Sequence, residues 1–107
     1  MHVLVVNFHL KGMTEREFQG MSEQLAPTFA KVPGLISKIW LADADTNTYG
    51  GVYLWDNAAS CRAYQASDLF NTVKSHPNFA DITSREFGVL DGPSKVTRAA
   101  GSALAAA

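Results

Sequence analysis

The stretch from Pro33 to Trp55, PGLISKIWLADADTNTYGGVYLW, predicts two β-strands joined by a polar turn. Successive side chains of a strand point to opposite faces, so Lys38 and Trp40 share one face, as do Tyr53 and Trp55 on the next strand. The positions between them are also apolar: Ile39, Leu41, Val52 and Leu54. A sheet with one face in water would place polar residues there. Both faces are therefore expected to be covered, and the face with polar-tipped rings is expected to line a cavity.

A strand and an amphipathic helix precede this hairpin. The strand is predicted over residues 2–10, and Thr14 with Glu17 forms a T-x-x-E capping box, which marks the start of a helix. The helix then carries one apolar stripe at spacings of three and four residues: Phe18, Met21, Leu25, Phe29 and Val32. Pro27 lies inside the pattern and is expected to kink or divide the helix.

Two further helices and a strand are predicted after the hairpin. Asp56 is the expected N-cap of a helix that carries Tyr64, and a short helix follows from about Asp68. The last strand is predicted over residues 82–90, and Pro93 is expected to open a brief terminal helix. The order β-α-β-β-α-β predicts an α+β, ferredoxin-like fold with a four-stranded antiparallel sheet and helices on one face. We expect one domain over residues 1–98 and a flexible Ala-rich tail over residues 99–107.

Charge and composition exclude several classes of partner. A net charge of −1 over 107 residues provides no basic surface for nucleic acid or an anionic membrane. The last strand, SREFGVL, also lacks the aromatic motif of RNA-recognition domains, which share this topology. No run approaches the ~20 apolar residues of a membrane span, so we predict a cytoplasmic protein. Cys61 is the sole cysteine and is predicted to be an inert thiol.

The first strand predicts self-association. Its even positions, Leu4 to Leu10, are all apolar, and two of its odd positions, Val3 and Val5, are apolar as well. One helical layer covers only one face of the sheet, and leaving the other in water forgoes ~1.5–3 kcal/mol for each large apolar side chain. We therefore predict a homodimer in which two copies pack sheet to sheet.

The sequence resembles the YdhR-like monooxygenases of the dimeric α+β barrel superfamily over nearly its whole length, to about Arg98. The resemblance rests on the following elements: Pro33-Gly34, Lys38-x-Trp40, Gly50-Gly51-x-Tyr53-Leu54, Tyr64, Phe87-x-Val89 and Pro93-Ser94. It implies two ferredoxin-like protomers that close their sheets into a barrel, each with a ligand cavity between sheet and helices. It also implies monooxygenase activity, although relatives in the wider superfamily cyclise polyketides, degrade haem or isomerise lactones.

Three residues are the candidates for catalysis. Asn7 and His9 point the same way from the first strand, where an amide could bind a carbonyl or peroxide oxygen and an imidazole could act as a base. Lys38 could stabilise an enolate. The structural alternatives are hydrogen bonds of Asn7 and His9 to backbone or to the partner chain, and a Lys38 stem that lies along Trp40 with its charge in water.

Four aromatic residues are the candidates for substrate binding. Trp40, Tyr53, Trp55 and Tyr64 could line a pocket for a planar ligand, or they could fill the core or the dimer interface. We expect no cofactor, since the chain has no nucleotide or metalloenzyme fingerprint, and no metal, since its histidines are scattered in sequence. His76 could be an axial haem ligand, but a solvent-facing histidine or one that caps the helix end is the preferred interpretation.

Three hypotheses of function remain open. The first is a cofactor-independent monooxygenase acting on a planar aromatic or polyketide-like molecule. The second is a non-oxidative cyclase or isomerase that uses the same cavity and base. The third is a non-catalytic dimer that binds a small hydrophobic ligand. Only the first requires oxygen, and only the third should tolerate loss of the candidate catalytic side chains.

Overall fold

The computed structural model describes residues 1–101 and confirms the predicted ferredoxin-like α+β fold. Its elements in chain order are β1 (His2–Leu10), α1 (Glu15–Ala30), β2 (Leu35–Asp43), β3 (Thr48–Trp55), α2 (Ala58–Gln65), α3 (Asp68–Lys74), β4 (Phe79–Gly88) and α4 (Asp91–Val96). The strands form one antiparallel sheet in the order β2-β3-β1-β4. The predicted tail lies mostly in residues 102–107, outside the described part of the chain.

The core lies between the helices and one face of the sheet. Leu4, Val6 and Phe8 of β1 are all at most 5% exposed, and they pair across the ladder with Tyr53, Gly51 and Tyr49 of β3. Residues directly opposite in an antiparallel pair point to the same face. The even positions of β1 and the odd positions of β3 therefore make up the floor on which the helices pack.

The capping box starts α1 as the sequence predicts. The Thr14 hydroxyl accepts from the Glu17 amide at 3.1 Å, and the Glu17 carboxylate accepts from the Thr14 amide at 2.9 Å. Of the two effects predicted for Pro27, a kink or a division of the helix, the division is wrong, because α1 runs unbroken to Ala30. Phe29 follows Pro27 and is only 3% exposed, so its packing holds the last turn in place despite the backbone hydrogen bond that proline cannot donate.

Other boundaries differ from the prediction as well, including the last strand, which ends at Gly88 and not at residue 90, and the terminal helix, which begins at Asp91 and not at Pro93. The N-cap of α2 is Asn57 and not Asp56, because the Asn57 side chain accepts from the Ser60 amide at 2.9 Å. The last strand begins at Phe79, three residues early, where Phe79 pairs with Leu10 and its ring stacks on Phe8 at 4.1 Å.

A bulge in β2 decides which of its side chains reach the core. Leu35 pairs with Trp55, but Ser37 already pairs with Leu54, so Ile36 is one extra residue in β2. Such an insertion exchanges the two faces for all residues beyond it. Beyond the bulge, Lys38 pairs with Tyr53 and therefore points to the helix side.

The opposite face of the sheet, which we call the open face, is apolar at its centre, with polar residues such as Asn7 and Arg85 beside the apolar ones, and no helix of residues 1–101 covers it. Ile39, Val52 and Val5 follow one another across three neighbouring strands on this face. Ile39 is 61% exposed, and Phe87 of β4 is 43% exposed. In residues 1–101, no helix has the length and apolar character needed to cross a membrane.

Candidate active site

A cavity of about 70 Å³ lies between the helices and the sheet. Its walls come from α1, α3, β2, β3 and the start of β4, and rings such as Phe18 and Phe79 make them largely apolar. One water molecule takes up roughly 10–15 Å³ on this measure of volume, so the cavity holds about five to seven waters. Since each water has a full volume of about 30 Å³ in the liquid, a ligand of about 150–210 Å³ fills the same space. The cavity therefore fits a molecule with one or two rings.

Lys38 presents its amine to this cavity between aromatic rings. Its Nζ lies 3.4 Å from the centroid of Trp40, 3.5 Å from that of Phe29 and 4.6 Å from that of Tyr53. The Phe29 and Trp40 rings stand edge to face, 84° apart, with centroids separated by 5.3 Å. Three rings from α1, β2 and β3 thus surround one amine, which we call the Lys38 cage.

The amine of Lys38 has no anionic partner in the described residues, where it makes neither a salt bridge nor a hydrogen bond. The rings attract an ammonium ion, but loss of hydration disfavours it. Burial has the larger effect and lowers the pKa of Lys38 from 10.5 to about 7. A substantial fraction of the side chain is therefore a neutral amine near pH 7, and it can accept a proton.

Gly51 leaves room for the lysine stem. A Cβ at this position would lie 2.8 Å from Lys38 Cε and 3.2 Å from a ring carbon of Tyr53. Any side chain here would therefore press on the cage. Gly51 thus helps to position the amine together with the aromatic rings.

Trp40 and Tyr53 line the cavity together with Lys38, as expected from their shared faces. Tyr53 accepts a hydrogen bond from the hydroxyl of Tyr64 at 3.2 Å. Burial raises the pKa of Tyr53 to about 12 and also raises the pKa of Tyr64. Both phenols stay protonated at neutral pH, so neither can serve as the base.

Trp55 and Tyr64 belong to the core behind the cavity and are not among its lining residues. Trp55 is fully buried, with its ring parallel to that of Tyr53 at 6.1 Å, and Tyr64 is 2% exposed. Both rings pack against Tyr53 on the side away from the cavity and so hold its ring in position.

Asn7 and His9 are not brought together with Lys38. Both alternate with the buried Val6 and Phe8, so they point to the open face. His9 Nδ1 lies 2.7 Å from the carbonyl oxygen of Asn47, beside the β2–β3 turn. The sheet itself thus separates these two candidates from the cavity.

Ser22, Thr72 and His76 are further polar residues of the cavity, and only His76 was considered from the sequence. Ser22 lies in the middle of the apolar stripe of α1, and its buried hydroxyl has no hydrogen-bond partner within residues 1–101. His76 follows α3, and its ring stacks on Phe79 at 4.3 Å. A serine four residues after Phe18 on a buried stripe was the signal available in the sequence, because an unpaired buried hydroxyl is costly unless a ligand meets it.

The family model described as putative mono-oxygenase ydhR matches residues 3–100. The chain belongs to this family. No functionally curated protein matches the sequence.

Solved structures support the same fold. SnoaB, a cofactor-independent oxygenase from Streptomyces nogalater, is 21% identical with a TM-score of 0.66, and the match covers 83% of this chain and 92% of SnoaB. MhuD, solved with two manganese protoporphyrin IX molecules per active site, is 16% identical with a TM-score of 0.67, over 84% of this chain and 95% of MhuD. A structure described as an antibiotic biosynthesis monooxygenase is 12% identical with a TM-score of 0.66, over 84% and 99%.

The residues of this ydhR-family chain do not fit a haem. In the described residues, His76 is the one histidine that lines the cavity, and its Nδ1 accepts from the Asn78 amide at 3.2 Å. In the neutral ring the proton then sits on Nε2, whereas an axial ligand needs a free Nε2 and usually donates through Nδ1. The space for one or two rings is also too small for a porphyrin.

Proposed function

We propose that this chain is a cofactor-independent monooxygenase for a small acidic phenol or enol with one or two rings. The observation that carries the proposal is the Lys38 cage: a partly buried amine that has no anionic partner within residues 1–101, faced by three rings, beside a cavity of matching size. Such a site offers a base and a counter-charge in a dry aromatic environment. Family membership and the likeness to SnoaB support the oxygenase assignment.

In the first step, the neutral amine of Lys38 takes the hydroxyl proton of the substrate. The resulting ammonium ion remains within the cage and faces the new anion, so each charge has a partner of opposite sign. Trp40, Phe29 and Tyr53 would hold the planar ring beside the amine, and Ser22 could donate a hydrogen bond to an oxygen of the ligand.

In the second step, the anion reacts with oxygen at a ring carbon that carries hydrogen. Electron transfer and bond formation give a peroxide at that carbon. Lys38 returns its proton to the outer oxygen of the peroxide anion. The carbon then loses its hydrogen as a proton while the O–O bond breaks, which leaves a carbonyl group, and the departing hydroxide takes up this proton to form water. With naphthol as the substrate, the products are naphthoquinone and water, and oxygen is the only oxidant required.

Oxygen dependence tests this proposal and separates it from a cyclase or isomerase. We expect naphthols and smaller acidic phenols to be converted to quinones in air, with one atom of isotopically labelled oxygen gas in the product and no conversion under nitrogen. Undiminished conversion of the same panel under nitrogen would instead indicate non-oxidative chemistry. Binding without conversion in either atmosphere would indicate a ligand-binding protein.

The pH profile tests the protonation state of Lys38. Only the neutral amine can act as a base, so we expect kcat/KM to rise with pH as a single ionisation centred at about 7 and to level off above it. The uncatalysed oxidation, measured at each pH, corrects for ionisation of the substrate. A rate that falls as pH rises through this range would show that the ammonium form is needed from the start.

We also propose that two copies pair through the open face. Ile39, Val5 and Val52 form an apolar strip across three strands, and the exposed Phe87 extends it onto β4. A second copy would bury the same strip on both partners, as two-fold dimers usually do. The cavity lies on the other side of the sheet, so each protomer would keep its own site.

Light scattering of the Ile39→Glu variant tests the dimer. We expect the wild type to have the mass of two 11.6 kDa subunits and the variant to be monomeric at micromolar concentration, because a charge would be buried without a partner. Ala63→Glu places the same charge on an exposed position of α2 and should stay dimeric. A monomeric wild type would contradict the proposal.

A further inference from the structure

Three side chains that are far apart in sequence meet at the end of the sheet where β1 begins. His2 opens β1, Glu86 lies near the end of β4 and Cys61 comes from α2. Glu86 pairs with Leu4, two residues from His2 in β1, so both side chains belong to the helix-facing side of the sheet. This juxtaposition depends on the strand register, and no spacing along the chain points to it.

The donor atoms of these three residues are close enough to share one ion. His2 Nε2, Cys61 Sγ and a Glu86 carboxylate oxygen all lie within 4.8 Å of one another, and the nitrogen and oxygen are 2.8 Å apart. With metal–ligand bonds of about 2.0–2.3 Å, donors around a tetrahedral zinc ion lie roughly 3.3–3.8 Å apart. Small side-chain rotations therefore suffice to surround an ion.

We propose that His2, Cys61 and Glu86 form a binding site for a divalent transition metal, with Zn²⁺ as the best match. One imidazole nitrogen, one thiolate sulfur and one carboxylate oxygen are a donor set that zinc accepts readily and that magnesium or calcium does not. Gln65 lies beside the site, with its amide nitrogen 3.5 Å from Cys61 Sγ, so its oxygen or a water molecule can complete the coordination.

Zinc binds a cysteine as the thiolate, so binding at this site displaces the proton of Cys61. The other ionisable groups at the site are His2 of β1 and Arg62 of α2, whose Nε is 3.9 Å from a carboxylate oxygen of Glu86. A bound zinc ion would also release Arg62 toward the solvent, where that side chain is already 71% exposed.

The proposal is independent of the oxygenase function. The site joins β1, β4 and α2 at the end of the sheet where β1 begins, and none of its three residues lines the Lys38 cavity. We therefore infer a structural ion that ties α2 to the sheet. Zinc binding should raise the midpoint of thermal unfolding, since a ligand that binds only the folded state stabilises it.

Titration of the full chain with zinc chloride and, separately, cobalt chloride tests the site. We expect one ion per chain, proton release that calorimetry detects in buffers of different ionisation enthalpy, and a thiolate-to-cobalt charge-transfer absorption band. Cys61→Ser should abolish the band, and His2→Gln and Glu86→Gln should each weaken zinc binding at least tenfold. His9→Gln removes a histidine at the other end of β1 and should change neither signal.

The outcome that would overturn the proposal is zinc binding of equal affinity in the wild type and in Glu86→Gln, with no thiolate band in cobalt. Because Glu86 is partly exposed, this variant should fold even if substitution of the buried Cys61 disturbs packing. Absence of binding in the wild type at micromolar zinc would overturn it as well. These readouts are metal affinity and absorption, so they hold whether or not the chain oxidises phenols.

Discussion

Replacing Lys38 with methionine is expected to lower kcat/KM for oxygenation by about 10²–10⁴-fold, the usual contribution of one positioned general base. Methionine preserves much of the stem that lies along the rings but cannot accept a proton. Oxygen uptake with a naphthol substrate measures the loss. The matched control is Lys74→Met, since Lys74 also lies over a ring, with its Nζ 5.2 Å from the Phe70 centroid, but is exposed and outside the cavity.

The Lys38→Arg variant distinguishes two possible roles of Lys38, as the base and as the counter-charge to a substrate anion. Arginine keeps the positive charge but is not deprotonated in proteins, so we expect this variant to be about as inactive as Lys38→Met. A Lys38→Arg enzyme with near wild-type activity would contradict the assignment of Lys38 as base. It would leave stabilisation of a substrate anion as the remaining role of the cation.

Unfolding experiments on Lys38→Met distinguish lost chemistry from lost structure. The pKa of Lys38 is about 7 in the folded chain, whereas the ordinary lysine value, which applies once the chain unfolds, is 10.5. Between these values the unfolded state binds more protons, so this group makes the wild type more stable as pH rises. At pH 7 the variant should therefore be at least as stable as the wild type, and any advantage should shrink toward pH 10.

Gly50→Ala is expected to destabilise the fold by at least about 2 kcal/mol. Gly50 has φ of 146°, and a Cβ on it would lie 1.8 Å from the backbone carbonyl oxygen of Val6. That oxygen belongs to the central strand, so the clash can be relieved only by moving β1 and β3 apart. Urea denaturation at pH 7 measures the change in the free energy of unfolding.

Gly51→Ala is the matched control for that experiment. Its new Cβ would press mainly on the flexible end of Lys38, 2.8 Å away, so we expect a smaller loss of stability but a marked loss of activity. Equal stability losses in the two variants would contradict this division of roles. The neighbouring glycines would then both serve strand pairing alone.

The alternating pattern of residues 33–55 predicted most of the fold and part of the site. Lys38 and Trp40 were placed on one face from their spacing, and the structure puts both in the cavity with Tyr53. The start of β4 could not be predicted from the local sequence, because Phe79 joins the sheet through its stacking on Phe8, a contact between residues far apart in sequence.

The remaining site residues depend on register, which no local pattern contains. Spacing shows that Asn7 and His9 share a face, but not whether it is the face of Lys38. That relation follows from the pairing of Val6 with Gly51 and of Tyr53 with Lys38. Ser22 was hidden for a different reason, since one small polar residue does not interrupt the apolar periodicity of a helix.

The extra residue in β2 also sets how this strand can change over evolutionary time. If Ile36 were deleted, Leu35 and Ser37 would pair with Trp55 and Leu54 in regular alternation, and Lys38 and all later residues of β2 would keep their partners and their faces. The strand can therefore lose its bulge without removing the amine from its rings. Point substitutions at alternate positions can likewise alter one face alone, so ligand preference and self-association are free to diverge separately.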